Sequence, residues 1–132
     1  MSHLPDRAAR LRVETDTSAT LFVEAGAGTG KTHALVSRLS TLLLDDAVPV
    51  DRIAAITFTE KAAAELRDRL RVTLVDLRAK GDHRADAALA GLDTAAIGTL
   101  HSFALRLLSE NPLEAGIPPR VTVQQDTAEA TA

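Results

Sequence analysis

The segment from Ala25 to Thr32 has the composition of a loop that binds phosphate. Its glycines allow successive backbone N–H groups to approach phosphate oxygens with no Cβ in the way. A helix starting at Lys31 would direct its N-terminal amides and the positive end of its dipole to the same place. In such a loop the lysine reaches the β and γ phosphates, and the hydroxyl that follows it binds Mg²⁺.

The sequence therefore predicts an ATP and Mg²⁺ site in which Lys31 and Thr32 are catalytic and Thr32 is the metal ligand. The phosphate-loop (Walker A) pattern usually begins with glycine, and here alanine takes that position. The alternative is a glycine-rich turn that happens to precede Lys-Thr. The cofactor-binding residues predicted are Ala25, Gly26, Ala27, Gly28, Thr29, Gly30, Lys31 and Thr32.

Hydroxyl, aromatic and cationic side chains also follow two later apolar segments. Thr57, Phe58 and Thr59 end the first and precede Lys61, and Thr99 ends the second. Hydroxyls can hold DNA phosphates, an exposed phenylalanine can stack on a base, and lysine attracts the backbone. Residue types alone favour a simpler interpretation, in which the phenylalanine packs in the core and the second threonine caps a helix.

Strand-like and helix-like segments alternate along the chain. Apolar or β-branched runs predict strands over 20–24, 53–58 and 95–99, with a further short one over 121–123. Helical spacing predicts helices over 5–16, from 31, over 60–80 and over 100–110, a weak helix within 81–91, and a new helix from Asp126. This order predicts a parallel sheet with helices, and ligands bind at the carboxyl ends of strands in such sheets.

The predicted helices have one apolar side each. In the helix from Lys31 the apolar positions are Leu35, Val36, Leu39, Leu42 and Leu43, and in the helix over 60–80 they are Ala63, Leu66, Leu70, Leu74 and Leu77. The latter helix also has three arginines, which we interpret as a solvated face balanced by nearby carboxylates: Arg67, Arg69 and Arg71 with Glu65 and Asp68.

Composition excludes several classes of function. The 132 residues contain no Cys, Trp or Tyr, so disulfide and thiolate chemistry are ruled out. A net charge of −3 argues against a protein that coats nucleic acid non-specifically, although a local DNA groove remains compatible with it. Leu42–Leu44 is too short an apolar run to cross a membrane, and we expect a cytoplasmic protein with no membrane association.

Three segments, in the same order, resemble motifs of the UvrD/Rep superfamily 1 DNA helicases. Residues 25–32 resemble motif I, residues 56–66 resemble motif Ia (TFTxKAAxEL), and residues 98–103 resemble the TxHSF motif. The stretch from Arg106 to Asp126 is similar to the RecB/AddA-like branch. The resemblance extends from about residue 20 to the end of the chain.

The resemblance implies a P-loop NTPase with a RecA-like parallel sheet flanked by helices. Residues 1–132 would be the N-terminal part of the first motor domain, ending as the inserted helical subdomain begins. The function implied is that of an ATP-dependent DNA helicase in repair and recombination, with ATP and Mg²⁺ as cofactors. Its partners would be single-stranded DNA and a nuclease, either a domain or a separate subunit. The implied DNA-binding residues are Thr57, Phe58, Thr59, Lys61, Thr99, His101, Ser102 and Phe103.

The sequence departs from the family pattern at two places. No Gln precedes the phosphate loop, and Arg10 stands roughly where the family has the Gln that contacts adenine. The acidic pair that should precede Gln125-Asp126-Thr127 is missing, so we interpret Asp126 as a helix cap. We therefore expect the isolated chain to be inactive. The alternatives are a truncated non-catalytic ATP-binding module or gene remnant and, with less support, a small P-loop kinase.

Overall fold

The helices and strands follow the predicted alternating order, except near the start of the chain. The computed structural model describes residues 6–28 and 30–120. The elements are α1 (Arg7–Thr15), α2 (Lys31–Leu44), β1 (Ala54–Thr57), α3 (Glu60–Ala79), α4 (Arg84–Gly91), β2 (Ala96–Thr99), α5 (Leu100–Glu110) and α6 (Pro112–Ala115). Short 3-10 turns precede each strand, at Val50–Arg52 and Leu92–Thr94.

The two strands form a parallel pair, as the alternating pattern predicts. Ala54 lies opposite Ala96, and Thr57 lies opposite Thr99. Because the register is even, both strands end at the same level. The segments that follow them, which carry the candidate DNA-binding residues, are therefore neighbours.

The core lies between α2, α3, α4 and the inner face of the sheet. The apolar stripe predicted on α3 is confirmed: four of its members are buried and Leu77 is partly buried against them. On α2 the stripe is buried except for Leu35, which is exposed, and Leu42, which is partly buried. Segment 81–91 contributes more to the core than the predicted weak helix would, because Ala85 and Ala88 are small enough to let α4 pack closely.

The strand predicted over residues 20–24 is wrong for the described structure. This segment has no regular secondary structure, and Phe22 is 94% exposed. β-branched and aromatic residues favour a strand only where a neighbouring strand supplies hydrogen bonds and a surface to pack on. Within the described residues, β1 and β2 pair with each other and no strand pairs with this segment.

The strand predicted over 53–58 is confirmed, but its burial is only partial. Ala55 is buried on the inner face, whereas Ile56 on the opposite face is 48% exposed. An apolar run suggests cover on both faces. In the described part of the chain, α5 approaches this opposite face at Gly98, where a Cβ would meet Ser102, but leaves Ile56 exposed.

The arginines of α3 also differ from the prediction. Arg67 Nη2 donates to the backbone oxygen of Ile97 at 2.6 Å, and Arg71 Nη2 donates to Asp93 Oδ1 at 2.6 Å. Both arginines therefore make tertiary contacts to the β2 region rather than pairing along their own helix. Arg69 is exposed, as predicted.

Some predictions lie outside the described residues. These are the last strand over 121–123, the helix from Asp126, and the position of Thr29. Within the described ranges, no helix is both long and apolar enough to span a bilayer.

Candidate nucleotide and nucleic-acid site

The predicted phosphate loop is an irregular segment that leads directly into α2. Gly28 and Gly30 have φ values of 75° and 83°, in the left-handed region that side chains with a Cβ rarely adopt. Lys31 Nζ donates to the backbone oxygen of Ala25 at 2.8 Å. The ammonium group thus folds back across the loop and joins its two ends.

The start of α2 differs from the starts of α3 and α5. Thr59 Oγ1 accepts from the amide of Ala62 at 3.1 Å, and Thr99 Oγ1 accepts from the amide of Ser102 at 3.2 Å. At α2 the N-cap is Gly30, and no described side chain caps the helix. Helix N-terminal amides need acceptors, so those of α2 are suited to an anionic ligand.

The residues at this end of α2 fit a Mg²⁺-nucleotide chemically. Lys31 supplies a cation and Thr32 a hydroxyl oxygen, which is the type of ligand that Mg²⁺ prefers, and both residues are exposed. Ser or Thr in this position and Lys before it are the side chains that a phosphate loop uses. Ala25, Gly26, Ala27, Gly28 and Gly30 form the described part of the loop before Lys31.

Hydroxyl groups at the end of β1 are engaged in building the turn. Thr57 Oγ1 donates to the backbone oxygen of Thr59 at 3.0 Å and lies 3.4 Å from that of Gly98. Thr59 caps α3, as the simpler interpretation of the sequence predicts. These two threonines therefore shape the loop and fix its distance from β2.

A carboxylate links the two loops. Thr99 Oγ1 lies 3.1 Å from Glu60 Oε1 and 3.2 Å from Ser102 Oγ, while it also accepts from the amide of Ser102. Sequence reasoning missed Glu60, although its place at the first position of α3, next to a parallel strand end, was the available signal. A Cβ on Gly98 would stand 2.5 Å from Ser102 Oγ, so a larger residue there would clash with this hydroxyl unless it moved.

The exposed side chains at this edge include an aromatic ring, a cation and an imidazole. Phe58 is 104% exposed, so the interpretation that it packs in the core is wrong. Lys61 and His101 are also exposed. Phe103 is half-buried and lines a cavity of about 160 Å³ with Arg106, which agrees better with packing than with DNA contact.

The match to a known protein family covers every residue that the structure describes. Residues 6–132 match the family described as UvrD/REP helicase N-terminal domain. The chain belongs to the UvrD/REP helicase family. The resemblance drawn from motifs I, Ia and TxHSF is thereby confirmed.

Curated relatives agree with membership of the UvrD/REP family. The chain is 40% identical over 116 residues to an ATP-dependent helicase/nuclease subunit of Pelotomaculum thermopropionicum, covering 83% of the chain and 9% of the relative. It is 36% identical over 117 residues to the protein of the same name from Thermoanaerobacter sp., covering 86% of the chain and 10% of the relative. It is 42% identical over 97 residues to "DNA helicase II" of Haemophilus influenzae, covering 74% of the chain and 12% of the relative. The chain thus spans about a tenth of the length of these relatives.

Proposed function

We propose that the chain is the ATP-binding segment of an ATP-dependent DNA helicase. In the longer protein, ATP hydrolysis would drive movement along single-stranded DNA and unwinding of the duplex in repair and recombination. The observation that carries the proposal is the start of α2, which follows a glycine loop and has no side-chain cap among the described residues. The names of the relatives, which include helicase/nuclease subunits, support it and suggest a nuclease partner.

The nucleotide site would work through charge and positioning. The amides at the start of α2 and the ammonium of Lys31 would hold the phosphates, and the Thr32 hydroxyl would be a ligand of Mg²⁺. When bound, the metal neutralises charge on the phosphate oxygens. Lys31 would have to leave the backbone oxygen of Ala25, and a phosphate would replace that oxygen as its acceptor.

The DNA interface would lie at the carboxyl ends of β1 and β2. Phe58 would stack on a base, and Lys61 and His101 would face the backbone phosphates. Thr57, Thr59, Thr99 and Ser102 would act mainly by holding the two loops in place, because their hydroxyls are engaged within the fold. Phe103 would contribute by packing α5 against the β2 region.

A nucleotide titration tests the site directly. The chain lacks Trp and Tyr, so binding is best followed by the anisotropy of a fluorescent ATP analogue. Lys31→Ala should weaken Mg-ATP binding about 10- to 150-fold, because it removes a charge-assisted contact worth roughly 1.5–3 kcal/mol. Lys61→Ala is the matched control, since it removes an exposed lysine outside the loop and should leave ATP affinity unchanged. Equal affinity of the Lys31 variant and the unchanged chain would refute the proposal.

A second candidate is ATP binding without turnover by the chain on its own. The sequence lacks the acidic pair expected before Gln125-Asp126-Thr127, and the described residues contain no cluster of three or more His, Cys, Asp or Glu that could hold a metal ion. An ATPase assay with and without single-stranded DNA tests this second candidate. Binding without turnover is expected of both candidates, whereas DNA-stimulated turnover that Lys31→Ala abolishes would contradict the second.

A further inference from the structure

A cation from outside the phosphate loop lies against the end of that loop. Arg10 Nη1 is 3.4 Å from the point where a Cβ on Gly30 would stand. Gly30 is the N-cap of α2, and Lys31 follows it. The guanidinium of α1 therefore lies beside the N-cap of α2.

Two sets of contacts hold Arg10 there. Asp6 Oδ2 accepts from Arg10 Nε at 2.7 Å, one turn earlier on α1. The far end of α1 is tied to α2 by Arg38, whose Nη1 donates to the backbone oxygens of Val13 and Asp16, each at 2.8 Å. Asp6 thus orients the Arg10 side chain, and Arg38 ties the end of α1 to α2.

The Arg10 cation has its counter-charge in Asp6 and not in the start of α2. A cation beside the N-terminus of a helix faces the positive end of its dipole, so its sign is unfavourable for α2. Asp6, which holds the guanidinium, has a buried Oδ1 with no hydrogen-bond partner within the described residues, and this is a second cost in the same place. The sign of Arg10 becomes favourable when an anion binds at the loop, because cation and helix amides then act on the same negative charge.

We propose that Arg10 is a further binding residue of the nucleotide site, donating to phosphate oxygens of a nucleoside triphosphate. The inference rests on the proposed ATP site and adds a second side-chain cation to Lys31. A guanidinium is permanently charged, and its planar set of donors matches phosphate oxygens. A phosphate is favoured over the base because Arg10 lies at Gly30, directly before Lys31.

The test compares three ligands: ATP, GTP and inorganic tripolyphosphate, each with Mg²⁺. Arg10→Ala should weaken all three by a similar factor, about tenfold, since the lost contact is charge-assisted and common to them. Arg10→Lys should recover part of the affinity, because it keeps the charge. Arg12→Ala is the matched control, as Arg12 pairs with Asp16 on the same helix at the same spacing, with a distance of 3.3 Å.

Each outcome decides the question. Loss of ATP affinity with tripolyphosphate affinity unchanged would mean that Arg10 contacts the base, and it would overturn the proposal. Arg10→Ala behaving like Arg12→Ala would overturn it too. If Lys31→Ala weakens binding and Arg10→Ala does not, only the inference about Arg10 is refuted. If neither variant weakens binding, the proposed ATP site itself is refuted. Far-UV circular dichroism without ligand monitors folding, and Arg10→Gln, which keeps length without charge, replaces an Arg10→Ala variant that unfolds.

Discussion

Phe58→Ala should separate DNA binding from folding and from nucleotide binding. The ring is fully exposed to solvent in the described part of the chain, so its removal should change the free energy of unfolding by less than about 0.5 kcal/mol. A base stacked on an aromatic ring contributes about 1–3 kcal/mol. The expected loss of single-strand affinity is therefore about 5- to 150-fold, since about 1.4 kcal/mol corresponds to a factor of ten.

The assay is the fluorescence anisotropy of a labelled oligonucleotide, measured beside the ATP titration. Phe22→Ala is the matched control, because Phe22 is 94% exposed but lies in the segment before the phosphate loop. We expect Phe22→Ala to leave DNA affinity unchanged and both variants to keep ATP affinity. Equal DNA affinity of the Phe58 variant and the unchanged chain would refute the stacking argument, and unfolding of that variant would refute its exposed position.

Three further predictions concern the fold. Gly98→Ala should lower the free energy of unfolding by about 1–3 kcal/mol by overpacking against Ser102 Oγ, and Ser102→Ala in the same chain should recover most of the loss in a urea titration. Arg38→Ala should cost about 1–3 kcal/mol in the same titration, because it leaves backbone oxygens at the end of α1 without their donor. The hydrogen bond from Arg84 lowers the pKa of Asp82. The bond between Asp82 and Arg84 therefore contributes to stability at neutral pH, and this contribution is lost as pH falls below about 4. Arg84→Ala should flatten this part of the pH dependence of Tm.

The sequence predicted those parts of the fold in which local pattern and tertiary environment agree. The apolar stripe of α3 and its Thr59 cap are examples, because local sequence decides both. The segment over 20–24 had a strand composition too, but composition cannot supply the neighbouring strand that hydrogen bonding requires. The sequence predicted only a weak helix where α4 lies, because this short helix is held by burial of Ala85 and Ala88 and has no strong apolar pattern.

The sequence identified the motifs of the candidate site, but not which residues contact one another within it. Loop glycines and Lys31 were evident from their spacing, and Phe58 was identified only through family resemblance. The bond between Thr99 and Glu60 joins residues 39 positions apart, and the approach of Arg10 to Gly30 depends on how α1 packs on α2. Contacts of this kind depend on the register of strands and the packing of helices, which residue order alone does not determine.

The bond from Arg67 to Ile97 has a consequence for self-association. Ile97 also donates its amide to the backbone oxygen of Ala95 at 2.9 Å, so both backbone groups of this residue already have partners other than a strand. A strand from another molecule that approached β2 would have to displace the arginine to form its ladder. Edge strands whose backbone groups are occupied are poor templates for aggregation. Intermolecular sheet growth from the β2 side is therefore disfavoured, even though the described sheet has only two strands.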